Sequence, residues 1–178
     1  MKQMWSRKTV LVLGKGGFGV QLADWLSAAG VAQDVLFLDD QAPDCAGALR
    51  DFVDPALRER CAAAYVGLGD NALRVELLEK LNKAGYVTPC FVHPQAAVSP
   101  SAILGVGSVV LPFAYVGAQV QTGMGCILNG GCIVDHNVTL GQGVHVAPGA
   151  ILKAGSAVPD YVKVDSGKIL RSPWDRSV

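Results

Sequence analysis

A six-residue repeat fills the second half of the chain and constrains its fold more than any other feature. Every sixth position from Val98 to Val158 is aliphatic, with the single exception of Thr122. Small or compact side chains stand four residues after these positions, from Ala102 to Ser156. A period of six fits neither an α-helix nor a long alternating strand. It is typical of a parallel β-helix, in which each hexad forms one short flat face and three hexads close a coil.

The repeat predicts a direction for each position in this three-sided coil, which we call the prism. The aliphatic residue points inward, the small residue fills the corner, and a following glycine is expected to allow the turn between faces. Cys126 and Cys132 stand at the small position, so we predict a packing role for both thiols. Counted from Val98 to Val158, the prism would have only about three and a half coils, stabilised by stacking on one another.

Two histidines depart from this inward pattern. His136 follows the inward Val134 by two residues, and His145 precedes the inward Val146 by one. The outer faces of a β-helix have no structural need for imidazole, and the two residues are half a coil apart. We therefore predict a chemical role for both. His93, next to Pro94, is instead expected to have a structural or capping role.

The first half of the chain alternates short apolar runs with helical patterns. "TVLVLG", "DVLFLDD" and residues 64–68 read as strands with helices between them, which predicts a small parallel sheet covered by helices. Asp70 or Asn71 is expected to cap a helix, with Arg74 on its surface. We place the domain boundary between residues 92 and 93.

The turn "GKGGFG" follows the first strand and opens a helix, so its N–H groups could cradle a diphosphate. Gly14, Gly16 and Gly17 allow close backbone approach, and Lys15 lies beside them. Asp39 and Asp40 follow at the spacing of a ribose-binding acid; these two carboxyl side chains complete the candidate nucleotide site. Tight packing alone also explains such a turn. NAD binding is a further alternative, but no Tyr-x-x-x-Lys proton donor follows.

Composition excludes several classes of function. Lys and Arg total 15, equal to Asp and Glu, and aromatic residues are few, so neither nucleic acid nor a membrane surface is an expected partner. We expect no signal peptide or membrane span. The five cysteines include no CxxC pair, which favours reduced thiols in the cytoplasm over a metal site or a disulfide framework.

The sequence resembles a family of left-handed β-helix acyltransferases that acetylate sugars, of the sialic acid O-acetyltransferase and UDP-4-amino-sugar N-acetyltransferase type. "VLGKGGFG", "FLDD", "GLGDNALR", "FVHPQAAVSPSA", "ILNGGCIVDH" and "HVAPGAIL" follow one another in the family's order. The resemblance implies an α/β Rossmann-like domain that binds a nucleotide sugar, joined to a left-handed parallel β-helix. It also implies a homotrimer with active sites in clefts between neighbouring prisms. Compared with the prism of this family, the predicted prism of about three and a half coils is shortened at its C-terminal end.

The resemblance places the catalytic base at His136, with Asp135 as the acid that orients its ring. A neutral imidazole suits the removal of a proton from a sugar amine or hydroxyl. The family often has a carboxylate directly after this histidine, where this chain has Asn137. It also often has a histidine where Phe18 stands.

Further residues of the implied acyl-transfer site lie on neighbouring hexads. Asn129 matches an active-site asparagine, and His145 matches a histidine near the acetyl-CoA thioester. A backbone N–H near Ala154 or Gly155 would stabilise the oxyanion. Arg171, Trp174 and Arg176 could contact the adenine or phosphates of the coenzyme, although a solvated tail is favoured.

These observations predict an acetyltransferase that uses acetyl-CoA as co-substrate, without a metal, and acts on a nucleotide-linked amino sugar for surface glycan and polysaccharide biosynthesis. N-acetylation is favoured over O-acetylation because a nucleotide-binding domain suits a 4-amino sugar. The alternative is a non-catalytic sugar-nucleotide-binding or assembly protein of the same fold, which a short prism without an acyl-CoA site would favour.

Overall fold

The computed structural model describes residues 9–170, so Arg171, Trp174 and Arg176 lie outside the described residues. The chain divides into two compact units, with the division between Pro89 and Cys90. Within the described residues, none of the helices combines the length and the apolar character that a membrane crossing requires.

The N-terminal unit is built on a parallel three-stranded sheet. Its strands are β1 (Thr9–Leu13), β2 (Asp34–Leu38) and β3 (Ala63–Val66), in the order β2-β1-β3. β1 is central and pairs along its length with β2, and four of its five residues are buried. A strand buried between two neighbours has a continuous apolar run rather than alternation, which explains "VLVL".

Helical segments follow each of these strands. They are α1 (Gly17–Ala28), α2 (Pro55–Arg60) and α3 (Asn71–Lys83), with a short 3₁₀ helix at Leu49–Val53. The Asp70 carboxylate accepts a hydrogen bond from the Leu73 N–H at 2.9 Å, which confirms the predicted cap of α3. The predicted parallel sheet with helical connections is therefore present.

The prediction of a surface arginine in α3 is wrong. Arg74 is 1% exposed, and its Nη1 donates to the Leu68 carbonyl at 2.9 Å, while its Nη2 donates to Asn71 Oδ1 at 2.8 Å. Burial of a guanidinium group is tolerated where oxygen acceptors satisfy its N–H groups. Those acceptors lie after β3 and at the start of α3, a juxtaposition that the local sequence does not reveal.

The C-terminal unit consists of two-residue strands at regular intervals. In chain order they are β4 (Phe91–Val92), β5 (Ala97–Val98), β6 (Val109–Val110), β7 (Tyr115–Val116), β8 (Gln121–Thr122), β9 (Ile127–Leu128), β10 (Ile133–Val134), β11 (Thr139–Leu140), β12 (His145–Val146), β13 (Ile151–Leu152), β14 (Ala157–Val158), β15 (Lys163–Val164) and β16 (Ile169–Leu170). Face 1 holds β4, β6, β9, β12 and β15; face 2 holds β5, β7, β10, β13 and β16; face 3 holds β8, β11 and β14. These three parallel sheets form the predicted three-sided prism.

The inward positions of the repeat fill the prism as predicted. Val110, Leu128 and Val146 follow one another along face 1, and none of the three is exposed. Burial of each such side chain stabilises the fold by about 1.5–3 kcal/mol. Cys126 and Cys132 are also fully buried, which confirms their packing role, and burial raises the pKa of the Cys132 thiol to about 12.

The predicted count of three and a half coils is wrong. Successive strands of one face are 18 residues apart, as in Ile133 and Ile151. From Phe91, four coils are complete, and β15 and β16 begin a fifth, with Val164 only 4% exposed. Charged and polar residues around β15 and β16 gave this segment the composition of a tail, although its inward positions are aliphatic.

The left-handed backbone position also differs from the prediction. It lies three residues after each inward side chain, at every sixth residue from Gly107 to Gly167, and not directly after it. Several corners are turns closed by a backbone bond such as that from the Cys132 N–H to the Asn129 carbonyl, 3.1 Å. Four side chains other than glycine occupy this strained position: Phe113, Gln119, Asn137 and Tyr161.

We expect Phe113→Gly to stabilise the prism by about 0.5–1 kcal/mol. Phe113 has φ +61° and is 68% exposed, so glycine removes a left-handed strain of about 1–2 kcal/mol with little loss of packing. The midpoint of urea unfolding measures the change. The control Tyr115→Gly, in a strand, should destabilise; a loss of stability in both variants contradicts the strain argument.

Candidate active site

Asn129 and His145 form a hydrogen-bonded pair at the corner between faces 1 and 2. Asn129 directly follows β9, and His145 points outward from β12, one coil further on. Asn129 Nδ2 lies 3.2 Å from His145 Nε2, and Asn129 Oδ1 accepts the Gly130 N–H at 2.8 Å. The Gly130 contact fixes the amide, so its NH₂ group donates to Nε2 and the neutral ring carries its proton on Nδ1.

His136 lies exposed at the corner between faces 2 and 3, in the turn after β10. Its backbone is held on two sides. The His136 N–H donates to Asp135 Oδ1 at 2.7 Å, and the His136 carbonyl accepts the Gly155 N–H at 3.1 Å. Its ring Nδ1 lies 3.0 Å from Asn137 Nδ2. The Asp135 carboxylate thus contacts the backbone of His136, and the amide of Asn137 contacts the ring.

Ala154 and Gly155 differ in the availability of their N–H groups. The Gly155 N–H is engaged by the His136 carbonyl. The pairing of Val134 with Leu152 puts Ala154 in register with His136 on the next coil, at the strand spacing of about 4.8 Å. Within residues 9–170 the Ala154 N–H has no acceptor. Ala154 is therefore the better donor for an oxyanion.

Gly117 is a site residue that the repeat predicts only as one of the turn glycines after an inward aliphatic residue. It lies one coil before the Asp135–His136 peptide, and its N–H donates to the Val134 carbonyl at 2.8 Å. A Cβ on Gly117 would lie 2.7 Å from His136 N and 2.9 Å from the Asp135 carbonyl carbon. Only glycine allows the two coils to approach here. A glycine directly after an inward aliphatic residue is the sequence signal for this contact.

The candidate residues of the prism therefore form two groups on one chain. Asn129 and His145 occupy the corner between faces 1 and 2, whereas Asp135, His136 and Ala154 occupy the corner between faces 2 and 3. Strands of face 2 separate the two corners. Within residues 9–170, no group of three or more His, Cys, Asp or Glu side chains is arranged to hold a metal ion.

The glycine-rich turn of the N-terminal unit contains two kinds of glycine. Gly14 has φ +95°, and its N–H donates to the Leu38 carbonyl at 2.8 Å. A Cβ on Gly16 or Gly17, at the start of α1, would meet only open space. Gly19, which the sequence reasoning missed, packs against the backbones of Gly14 and Gly67. The spacing Gly-x-Gly-x-x-Gly from Gly14 to Gly19 was the signal, since its third glycine permits close helix packing.

The acidic and basic candidates near this turn contact the protein itself. The Asp39 carboxylate accepts N–H bonds from Lys15, Gln41 and Ala42 at 2.7–2.8 Å, and these bonds, that of Lys15 foremost, lower the pKa of Asp39. Asp40 Oδ1 accepts the Leu49 N–H at 2.9 Å. Lys15 Nζ donates to the carbonyls of Pro43 and Asp44. Lys15 and Asp39 thus join the glycine-rich turn to the loop after β2, and Asp39 and Asp40 order that loop.

We expect Gly117→Ala to destabilise the protein by about 1–3 kcal/mol, because the new methyl group collides with the backbone of the next coil. Gly130→Ala is the matched control, since its Cβ would meet only the Pro112 carbonyl at an ordinary 3.5 Å. Thermal unfolding measures both. Equal stability of the two variants would contradict the close approach at Gly117.

Comparison with solved structures finds acetyltransferases. The acetyltransferase domain of PglB from Neisseria gonorrhoeae FA1090, in complex with acetyl coenzyme A, matches with a TM-score of 0.86 and 31% identity, covering 93% of this chain and 83% of that chain. A variant of perosamine N-acetyltransferase from Caulobacter crescentus, in complex with CoA and GDP-perosamine, matches with a TM-score of 0.81 and 26% identity, covering 92% and 89%.

Among curated proteins, UDP-N-acetylbacillosamine N-acetyltransferase from Bacillus subtilis is 28% identical over 113 residues. The matched region is 58% of this chain and 51% of that protein, so the chain spans about half the length of this relative. No protein-family model matches the chain. Identity of 31% to the PglB domain, with most of both chains aligned, shows that the chain belongs to the family of sugar N-acetyltransferases that includes this domain.

Proposed function

We propose that the protein is an acetyl-CoA-dependent N-acetyltransferase that acts on a nucleotide-linked amino sugar. The observation that carries this proposal is the register of His136 with Ala154 on adjacent coils of the prism. An exposed imidazole and an N–H that has no acceptor among the described residues stand about one strand spacing apart, which suits acyl transfer. The names of the relatives agree, since they describe sugar N-acetyltransferases and complexes with acetyl coenzyme A or with CoA and GDP-perosamine.

The reaction we propose is direct attack of the sugar amine on the thioester carbon. The C–N bond forms as the carbonyl becomes a tetrahedral oxyanion, and the Ala154 N–H donates to that oxygen. His136 Nε2 takes the proton that the amine loses. When the intermediate collapses, the C–S bond breaks and the thiolate of CoA leaves, to be protonated by the imidazolium. No side-chain nucleophile and no metal is needed.

Asn129 and His145 have a separate role in this proposal. Asn129 donates to His145 Nε2, so this nitrogen is an acceptor within the protein and is not available as the base. We infer that the pair lines the cleft near the thioester, with the rigid amide holding the imidazole in place. The different hydrogen-bond partners of the two rings therefore support a base at His136 and a residue that lines the cleft at His145.

We further propose that the N-terminal unit is Rossmann-like and holds the nucleotide at its glycine-rich turn. Open space at Gly16 and Gly17 and the start of α1 at this turn support a phosphate contact. The Asp39 and Asp40 carboxylates order the adjoining loop and retain lone pairs for a ribose. Lys15 would exchange its contacts with the Pro43 and Asp44 carbonyls for a phosphate.

A homotrimer would complete the site, because the two groups of candidate residues lie at different corners of one prism. Face 2 between these corners carries an outward column of large apolar side chains in register, which supports its packing against another copy. Tyr115, Ile133 and Ile169 in this column are 40–54% exposed. We propose that the cleft between two copies brings His136 of one near His145 of the next.

The cytoplasm is the compartment we propose, since all five cysteines are free.

The non-catalytic alternative depended on a prism of three and a half coils. Because β15 and β16 extend the prism beyond that count, the observation that favoured the alternative no longer holds.

His136→Ala should lower kcat by roughly 10²-fold or more, because the amine loses its base. Release of free thiol from acetyl-CoA, with UDP- or GDP-linked 4-amino sugars as acceptors, measures the rate. Sedimentation should give the same trimeric mass for the variant and the wild type. Equal thiol release by both proteins would exclude His136 as the base, and no release by the wild type would contradict the proposed activity.

Ala154→Pro should lower kcat by roughly 10²- to 10³-fold, because proline removes the N–H that we assign to the oxyanion. The turn tolerates the change, since Pro112 and Pro148 occupy the same turn position in other hexads. Ser166→Pro makes the same substitution at the corner between faces 1 and 2 and should leave the rate unchanged. If Ala154→Pro folds normally and retains full activity, the oxyanion assignment is wrong.

A further inference from the structure

Asn137 holds an unusual backbone position directly beside the ring of His136. Its φ is +58°, in the left-handed region, and its N–H donates to the Ala118 carbonyl at 2.9 Å. Asparagine is one of the few residues other than glycine that adopt this conformation readily. The turn thereby fixes the Cα of Asn137, and the side-chain amide lies 3.0 Å from His136 Nδ1.

The two asparagine–histidine pairs of the prism differ in one respect. The amide of Asn129 is locked, because Gly130 donates to its oxygen. The amide of Asn137 has no second hydrogen bond within residues 9–170, so exchange of its oxygen and nitrogen by rotation breaks no other contact. When Nε2 takes up a proton, Nδ1 of the resulting imidazolium also carries a hydrogen, and only the oxygen of the amide can accept it.

We propose that Asn137 is a positioning residue that sets the tautomer of His136 by accepting the Nδ1–H on its amide oxygen. With the proton held on Nδ1, Nε2 has a free lone pair and faces the substrate as the base. This inference rests on the proposed function for its catalytic meaning. It concerns Asn137, because the side chain of Asn137 is the one hydrogen-bonded to the ring, whereas that of Asp135 is hydrogen-bonded to the backbone N–H of His136.

The amide sets the tautomer without adding a charge. Its oxygen accepts the Nδ1–H equally when Nε2 has gained the proton of the amine, so the contact persists through the reaction. The charged residues on this turn and at the matching position of the next coil are Asp135 and Lys153, which are in register with each other. A carboxylate in place of the amide would favour the imidazolium and so raise the pH at which the ring loses its proton.

Long-range ¹H–¹⁵N NMR of the His136 ring tests the proposal without any substrate. The wild type should show the Nδ1–H tautomer as the main neutral form. Asn137→Gly, which suits a left-handed position, should lose this preference and lower kcat roughly 10- to 100-fold with KM unchanged. Asn137→Asp should keep the tautomer and raise the midpoint of the ring titration by about one pH unit, with the acid limb of the pH–rate profile.

Gln119→Gly is the matched control, because Gln119 has the same left-handed position at the same corner, one coil earlier. It should change neither the ring signals nor kcat. A wild-type ring protonated mainly on Nε2 overturns the proposal, as does an Asn137→Gly variant with an unaltered tautomer. Absence of acetyl transfer by the wild type overturns the proposed function alone, since the ring signals report on Asn137 in either case.

Discussion

The stacking of each coil on the next, through parallel backbone hydrogen bonds between residues 18 apart, is the constraint on which the rest of the C-terminal unit depends. The Asn129 N–H donates to the Val146 carbonyl and the His145 N–H donates to the Val162 carbonyl, at 2.9 and 3.0 Å. Two-residue strands are too short to be stable alone, so each rung persists only because its neighbours pair with it. Every candidate catalytic group is carried by this ladder.

The chemistry of the site depends on the groups that neither fill the prism nor pair between its coils. Inward side chains are excluded from chemistry because they fill the prism, so polar function is confined to outward strand positions and corner turns. His145 occupies the first kind of position, and His136 and Asn137 occupy the second. Among the described residues, the N–H groups of His136 and Ala154, each the second residue of its corner, have no backbone acceptor on a neighbouring coil: that of His136 donates to Asp135, and that of Ala154 is available. A rigid backbone thus holds the base and the oxyanion donor at a fixed strand spacing, which is the preorganisation that acyl transfer requires.

Sequence reasoning succeeded where the signal was periodic and failed where it depended on contacts between distant residues. The inward residues and the buried thiols of Cys126 and Cys132 followed from the six-residue period, because each hexad repeats one local environment. The ends of the prism did not follow, since charged residues around β15 and β16 mask the same period. Arg74 was assigned to the surface because a lone arginine in a polar helix usually lies there, and its carbonyl acceptor at Leu68 is a feature of the folded loop.

By itself, the sequence determined that the second half is a three-sided coil, that His136 and His145 lie on its outside, and that a glycine-rich turn follows the first strand. Only the tertiary structure decided which groups around them are engaged. It showed that, within the part of the chain that it describes, the Gly155 N–H has an acceptor while the Ala154 N–H has none. It also showed that Gly117 must lack a Cβ, and that the amide of Asn137 contacts the ring of His136. The physical reason is that the six-residue period can be read from residues close together in the sequence. The partner of each N–H and ring nitrogen, by contrast, is set by the coil above or below and by the turn geometry that the stacking imposes.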